Sequence, residues 1–166
     1  LVGMCRNTTQ VWQVAIGMAD TRAQLQVEEW IRQEWMPVEF GQVFRAQRFR
    51  LTSGGFFDFD AVSSDGSVVA SISTSGAVTA SGKNGVGKLQ KIRSDVLFLT
   101  LAEADRRIIM LTERGMYGRC MQESLAGRLP KCVEFCLVEV PEHLIAALKQ
   151  SRPQASREVS PPASSM

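Results

Sequence analysis

The 166-residue sequence lacks the signals of several common protein classes. It has a single histidine, His143, which disfavours multi-histidine metal sites and allows a Ser-His-Asp triad only if His143 is its base. Its longest apolar stretch, residues 96–102 with Thr100 inside it, is far shorter than the roughly 20 residues that span a membrane. A net charge of +2 disfavours a strongly basic nucleic-acid coat and an acidic disordered protein. We therefore expect an ordinary globular protein of the cytoplasm.

The cysteines lack the spacing of metal ligands. Cys132 and Cys136 are four residues apart in a predicted strand, which separates them by about 13 Å. That distance is too long for a chelating pair. Since no secretory signal is recognised, the sequence predicts reduced core cysteines: Cys5, Cys120, Cys132 and Cys136.

Composition separates one domain from two weakly ordered ends. Residues 1–19 are expected to be an upstream or vector-derived segment. Residues 151–166 are rich in Ser, Pro and Ala, so we expect a disordered tail. Residues 20–150 are predicted to form a single domain.

Hydrophobic periodicity within residues 20–150 predicts helices alternating with strands. The predicted order is α-β-β-β-α-β-β-α-β-α, which favours an α/β fold with a central mixed sheet flanked by helices. An α+β arrangement is the alternative. The elements that matter below are a first helix ended by Pro37, two alternating strands joined by a turn, a short helix and a continuously apolar strand: residues 21–36, 56–63, 67–74, 86–93 and 96–101.

The pair of alternating strands is the most informative part of the sequence. Asp65-Gly66 between them is a strong signal for a two-residue hairpin turn. Strict alternation then puts Phe57 and Phe59 on a core face. The opposite face is either open to solvent or lines a cleft, and it carries Asp58, Asp60, Ser71 and Ser73. Carboxylates two residues apart on one strand can point at one ion, so Asp58 and Asp60 are predicted ligands of Mg²⁺.

The order α-β-β-β-α-β, with an aspartate late in the second strand, resembles the core of the PD-(D/E)XK restriction-endonuclease-like superfamily. The resemblance covers about residues 21–101. In that family the aspartate and a Glu-x-Lys on the third strand bind the metal and activate the attacking water. The resemblance implies that Asp60 is the metal ligand and that Ser71 and Ser73 occupy the Glu-x-Lys positions. It therefore implies either a rearranged catalytic site or an inactive relative that keeps the fold for binding.

A rearranged site needs a lysine and a second carboxylate from neighbouring elements. The lysine candidates are Lys83, Lys88 and Lys91, of which Lys88 is assigned a catalytic role together with Asp60, Ser71 and Ser73. The carboxylate candidates are Asp58 and the glutamates of the first helix: Glu28, Glu29 and Glu34.

A glycine-lysine loop precedes the predicted short helix. Residues 82–88 fit G-x-x-x-x-G-K, but Leu89 stands where a nucleotide-binding loop needs Ser or Thr, and no buried strand precedes the loop. Contact with a nucleic-acid backbone is the favoured interpretation, because positive charge is concentrated here: Lys83, Lys88, Lys91 and Arg93. Arg45, Arg48 and Arg50 form a second basic group or the solvated face of a strand.

Together these patterns predict a nuclease-like domain that contacts the backbone of DNA or RNA. If the site is active, the reaction is Mg²⁺-dependent phosphodiester hydrolysis, which makes the protein a hydrolase. The alternative is a non-enzymatic interaction or assembly module with the same fold. The missing Glu-x-Lys and a first helix bearing Trp30 and Trp35 favour that alternative, with a homodimer as its expected form.

Overall fold

The computed structural model describes residues 21–77, 82 and 85–158, with side chains as far as Ser151. The chain divides into two compact units. One unit is Val27–Val140, and the described part of the other consists of residues 21–26 and 141–158. The single domain over residues 20–150 stays a prediction. Residues 1–19, Lys83 and residues 159–166 of the predicted tail lie outside the described residues.

The first helix, α1, is longer than its sequence predicts. Residues 21–30 are α-helical, Ile31–Trp35 forms a π-helical stretch, and Met36–Phe40 returns to α-helix. Pro37 does not end the helix, because the wider turn before it relieves the crowding that its ring would cause. Gly41 ends it in a left-handed conformation (φ 68°), with its N–H bonded to the Pro37 carbonyl at 2.9 Å.

Five strands form one mixed sheet in the order β1-β2-β3-β4-β5. The pairs β1/β2 and β2/β3 are antiparallel, whereas β3/β4 and β4/β5 are parallel. The strands are Phe44–Arg50 (β1), Phe56–Ser63 (β2), Val68–Ser73 (β3), Arg106–Leu111 (β4) and Glu134–Leu137 (β5). With helices between the parallel strands, the described chain is an α/β protein, as the sequence predicts.

The prediction of a buried strand at residues 96–101 is wrong. These residues continue the helix that begins at Val86, so α2 spans Val86–Thr100. A helix has to bury only one stripe, and α2 does so at helical spacing through Leu89, Ile92, Val96 and Leu99. Leu97, within the apolar run, stays exposed.

Two further helices complete the described chain. Helix α3 spans Arg114–Leu125 and α4 spans Glu142–Glu158. The backbone is therefore helical through Glu158, within the segment whose composition predicts disorder. No helix in the described part of the chain has the length and apolar character needed to cross a membrane.

The turn between β2 and β3 confirms the predicted hairpin and its register. Ala61 faces Ala70 and Val62 faces Val69, as a two-residue turn at Asp65-Gly66 requires. Gly66 has a φ of 73°, which a residue with a side chain rarely adopts. Asp65 accepts hydrogen bonds from the Ser67 N–H and from two serine hydroxyls, and these bonds lower its pKa to about 2.

Strand β2 contains a bulge that the sequence pattern does not predict. Arg45 faces Val62 and Gln47 faces Phe59, so three steps along β2 match two steps along β1. The extra residue falls at Asp60–Ala61. A bulge interrupts the alternation of side chains, so Phe59 and Val62 point to the same face although they are three residues apart. Both belong to the hydrophobic core that includes residues of α2.

The bulge also changes which residues are buried. Val62 and Val69 are predicted to lie on the polar face with the aspartates, yet they are 2% and 0% exposed. They pack with Phe59 in the core between the sheet and α2. The face of the sheet that carries these three residues is called the α2 face below.

Candidate functional site

Asp60 lies where β2 and β3 separate. The antiparallel ladder between the two strands contains only the pairs Ala61–Ala70 and Val62–Val69. Immediately beyond it, Asp60 Oδ2 accepts the backbone N–H of Ile72 at 2.7 Å. The half-buried Asp60 carboxylate therefore takes the place of the backbone carbonyl that would accept this N–H in a regular strand pair.

The predicted convergence of Asp58, Asp60, Ser71 and Ser73 on one face is wrong. Strand β3 pairs regularly with β4, so Ser71 and Ser73 lie on the α2 face with Val69. Both serines are buried, at 3% and 6% exposure. Asp58 and Phe59 are adjacent on β2, so their side chains point to opposite faces of the sheet and Asp58 points away from the α2 face. The bulge at Asp60 is the physical reason for the difference.

Asp58 takes part in a separate, exposed ion pair. Its Oδ1 lies 3.5 Å from Nε of Arg48 across the β1–β2 ladder, and both side chains are more than two-thirds exposed, at 75% and 71%. An exposed pair of this kind contributes little to stability. Asp58 and Asp60 are therefore neighbours in sequence with different surroundings, and the structure does not present them as a matched pair of ligands.

Helix α1 brings Glu28 to Asp60. The pKa of Glu28 is raised from 4.5 to about 7, chiefly by burial and next by the charge of Asp60, against the opposing charges of Arg32 and Lys91. Burial also raises the pKa of Asp60, while the Ile72 N–H and Lys91 lower it and the charge of Asp95 raises it. The charge of Asp60 thus opposes the ionisation of Glu28.

Arg32 fixes the position of α1 at the bulge. One guanidinium nitrogen donates to the Asp60 carbonyl at 2.6 Å, and the other donates to Glu29 Oε2 at 2.8 Å. The Arg32 side chain is only 13% exposed, and its bond to the Asp60 carbonyl is partly buried, whereas Glu29 is 54% exposed. Because Glu28 lies one helical turn before Arg32, this contact also sets the distance between Glu28 and Asp60.

Helix α2 contributes Lys91 and Asp95, which are four residues apart on one helix face. Lys91 Nζ lies 2.8 Å from Asp95 Oδ2. Asp95 is 6% exposed, whereas the Lys91 side chain is 62% exposed. Lys91 lowers the pKa of both Glu28 and Asp60. Among the lysines that the sequence offers, the structure thus places Lys91 where its charge acts on these carboxyls.

The other predicted phosphate-binding residues are placed differently. Lys88 is half-buried one turn before Lys91 on α2. Arg93 donates to Glu123 of α3 at 2.7 Å, and Glu123 also accepts from Arg128 at 3.0 Å. The guanidinium of Arg93 is therefore engaged by a carboxylate that would compete with phosphate.

The described residues next to the glycine-lysine loop do not favour a nucleotide-binding loop. Strand β3 ends at Ser73, and residues 78–81, 83 and 84 lie outside the described residues. Leu89, at the position where a phosphate-binding loop needs a hydroxyl for Mg²⁺, is 4% exposed and packs in the core.

The acidic residues fit a divalent cation only in a restricted way. Within the described ranges, no three His, Cys, Asp or Glu side chains are grouped closely enough to hold a metal ion. Glu28 and Asp60 nevertheless interact electrostatically, since the charge of Asp60 raises the pKa of Glu28. Mg²⁺ commonly binds one or two carboxylates and completes its shell with water and substrate phosphate. Two such carboxyl groups are compatible with that mode of binding.

The described cysteines offer no addition to this group. Cys120, Cys132 and Cys136 are all free. Cys120 is buried in the core, and burial raises the pKa of its thiol to about 11. Cys132 is exposed, so the expectation that it is a core residue is wrong.

A separate polar cleft of about 460 Å³ lies along α3 and is lined by the backbone of two glycines and by polar side chains, among them Arg114, Arg119 and Glu123. It does not include Glu28, Asp60 or Lys91. The cleft and the carboxyl pair are therefore different features of the described unit.

The sequence contains weak signals for the residues that surround Asp60. Glu28 lies between the buried Val27 and Ile31 at helical spacing, which places it at the edge of the apolar stripe of α1. Asp95 and Lys91 have the i,i+4 spacing of a helical ion pair. That pair is not recognisable when residues 96–101 are taken for a strand.

No family model, curated protein or solved structure matches this chain.

Proposed function

We propose that this protein is a restriction-endonuclease-like phosphodiesterase with a rearranged site, in which Glu28 and Lys91 replace the missing Glu-x-Lys. The observation that carries the proposal is the meeting of Glu28, Asp60 and Lys91 at the point where β2 and β3 separate. Each residue comes from a different element, so the three meet only through the fold.

The architecture supports the same proposal. The chain keeps a helix, three antiparallel strands, a helix and a parallel strand in the order on which the family resemblance rests. Asp60 lies on the second strand, as the resemblance implies, and a short hairpin leads into the third strand. The bulge adds a reason for the position of Asp60, since bulges commonly redirect a side chain next to an active site.

The chemistry of the group suits hydrolysis of a phosphodiester. Glu28 and Asp60 would hold Mg²⁺, which would supply Lewis acidity and a bound water of lowered pKa. The Lys91 ammonium is paired with Asp95 at 2.8 Å but is 62% exposed, and its charge acts on both carboxyls, so it would attract the phosphate in competition with Asp95. Arg32 keeps α1 against the bulge and so positions Glu28. The buried Ser71 and Ser73 have no part in this mechanism.

The experiment is a nuclease assay on single- and double-stranded DNA and on RNA, with Mg²⁺ or Mn²⁺. We expect cleavage by the wild type and a loss of about 100-fold or more in Asp60→Asn, Glu28→Gln and Lys91→Gln. Glu34→Gln is the matched control, because it removes an exposed carboxylate of the same helix as Glu28 that lies outside the group.

Two outcomes would contradict parts of the proposal. If the wild type binds nucleic acid in a salt-dependent way but does not cleave it, the catalytic part is wrong and the protein is an inactive relative. If it neither cleaves nor binds, the nuclease-like assignment is wrong altogether. Loss of cleavage in Glu34→Gln equal to that in Glu28→Gln would refute the specific role of the three residues.

A further inference from the structure

The β1–β2 hairpin is covered on one side and open on the other. On the covered side, Phe57 stacks on Phe98 of α2 with ring centroids 4.0 Å apart, and Phe59 is buried. On the other side, Arg48 faces Asp58 and Arg50 faces Phe56, and all four side chains are exposed. These four residues are called the open hairpin face below.

The open hairpin face carries two arginines and a large aromatic ring. The Arg48 side chain is 71% exposed, and its contact with Asp58 at 3.5 Å is long for a hydrogen bond. Each guanidinium presents five N–H donors in a planar fork that suits phosphate oxygens. Phe56 is 61% exposed directly opposite Arg50. The face therefore combines positive charge with one exposed aromatic ring.

The face leads to the group around Asp60. Asp58 and Asp60 are two residues apart on β2, a distance of about 7 Å along a strand. Arg50 and Phe56 lie one further pair beyond Asp58. The open hairpin face therefore reaches the bulge at Asp60 along β1 and β2, while Lys91 lies on α2 against the other face of the sheet.

We propose that the open hairpin face binds a single strand of nucleic acid, with phosphates on Arg48 and Arg50 and an unpaired base stacked on Phe56. This inference rests on the proposed function and names the form of its substrate. Positive charge and an exposed aromatic ring are the two features by which proteins bind unpaired strands, because charge attracts the backbone and every base can stack. A paired base has no exposed face for Phe56 to contact.

The test measures binding of a labelled 15-nucleotide oligo(dT) and of a matched duplex by fluorescence anisotropy in EDTA, over a range of salt concentrations. The variants are Arg48→Gln with Arg50→Gln, and separately Phe56→Leu. Arg114→Gln with Arg128→Gln is the control, since it removes the same charge from exposed arginines outside the hairpin. Thermal unfolding of each variant checks that the fold is kept.

For the double arginine variant we expect about tenfold weaker binding and a smaller salt dependence, by about 1.4 in the slope of log K against log salt. For Phe56→Leu we expect five- to 100-fold weaker binding to oligo(dT) with an unchanged slope, and little change for the duplex. The control variant should bind within about twofold of the wild type, because its charges do not contact the strand.

Three results would overturn the inference. The first is that the hairpin variants bind as tightly as the control variant, although the wild type binds nucleic acid and its cleavage depends on Asp60. In that case this inference is wrong and the proposed function is unaffected. The second is equal loss of duplex and oligo(dT) binding in Phe56→Leu. The third is a change of oligomeric state by light scattering in the hairpin variants with no change in binding, which would assign this face to a second copy of the chain. Absence of both binding and cleavage in the wild type would refute the proposed function as well.

Discussion

The side chain of Asp60 and the main chain of Ile72 are joined by a hydrogen bond of 2.7 Å at the end of the β2–β3 ladder. The N–H of Ile72 belongs to a central strand and would otherwise be without an acceptor at the place where the strands separate. Asp60 therefore has a structural task in addition to the chemical one proposed above. A variant that tests the chemical role of Asp60 therefore has to keep an oxygen that accepts the hydrogen bond from the Ile72 N–H.

The first prediction separates these two tasks. Asp60→Asn keeps an oxygen that can accept from Ile72, whereas Asp60→Ala leaves a buried N–H without a partner. We expect Asp60→Ala to unfold with a free energy lower than that of Asp60→Asn by about 1–3 kcal/mol. Urea denaturation of the two variants measures the difference. Equal stabilities would show that the bond to Ile72 is replaced by water.

The position of Asp60 also shows what sequence alone can predict here. The Asp65-Gly66 turn fixes the hairpin register, and the register is correct. The register predicts which face of the sheet a side chain occupies only where side chains alternate along the strand. The bulge interrupts that alternation at Asp60–Ala61. Neither residue is a glycine, so the composition of β2 carries no signal for the bulge.

The helix α2 illustrates a different limit. The continuous apolar residues from Val96 to Leu99 suit a strand buried on both faces as well as one side of a long helix. The neighbours decide the outcome, because Leu89 and Ile92 extend a helical stripe through Val96. The same error hides Asp95, which becomes a partner of Lys91 only when both lie on one helix.

The second prediction concerns Glu28 and pH. Its pKa is raised from 4.5 to about 7 in the folded protein, so the folded state binds this proton more tightly than the unfolded state does. The resulting stability is present below pH 4.5 and is lost as the pH rises to 7. We expect the loss to be about 1–2 kcal/mol, because partial exposure screens the effect.

Glu28→Gln mimics the protonated carboxyl and should remove this dependence. Its free energy of unfolding should match the wild type near pH 4 and exceed it by about 1 kcal/mol at pH 8. Glu34→Gln is the control, since Glu34 is exposed on the same helix. The same slope for wild type and Glu28→Gln between pH 4.5 and 7 would contradict the raised pKa.

The third prediction concerns the ion pair of Lys91 and Asp95. Removing the ammonium in Lys91→Gln leaves the buried carboxylate of Asp95 without its partner at 2.8 Å. We expect a loss of about 1–2 kcal/mol, less than for a fully buried pair because Lys91 reaches solvent. Adding Asp95→Asn should recover part of it, and a double-mutant cycle by urea denaturation measures the coupling. Additive losses would mean that the two side chains do not interact.

The fourth prediction distinguishes a structural role of Arg93 from phosphate binding. Hydrogen bonding by Arg93 lowers the pKa of Glu123, so the stability from this contact is present above the ordinary value of 4.5 and is lost as the pH falls. Arg93→Gln should therefore lower the midpoint of thermal unfolding at pH 7 and have a smaller effect at pH 3.

The comparison variant for Arg93 is Lys88→Gln, which removes one positive charge from the same helix. We expect Arg93→Gln to reduce affinity for oligo(dT) less than Lys88→Gln does, because Glu123 holds the Arg93 guanidinium at 2.7 Å. Anisotropy titrations at low salt provide the comparison. Two results together would contradict this prediction: Arg93→Gln weakens binding as much as Lys88→Gln, and it leaves the midpoint of thermal unfolding at pH 7 unchanged. They would mean that the Arg93 guanidinium binds phosphate and that its contact with Glu123 does not stabilise the fold.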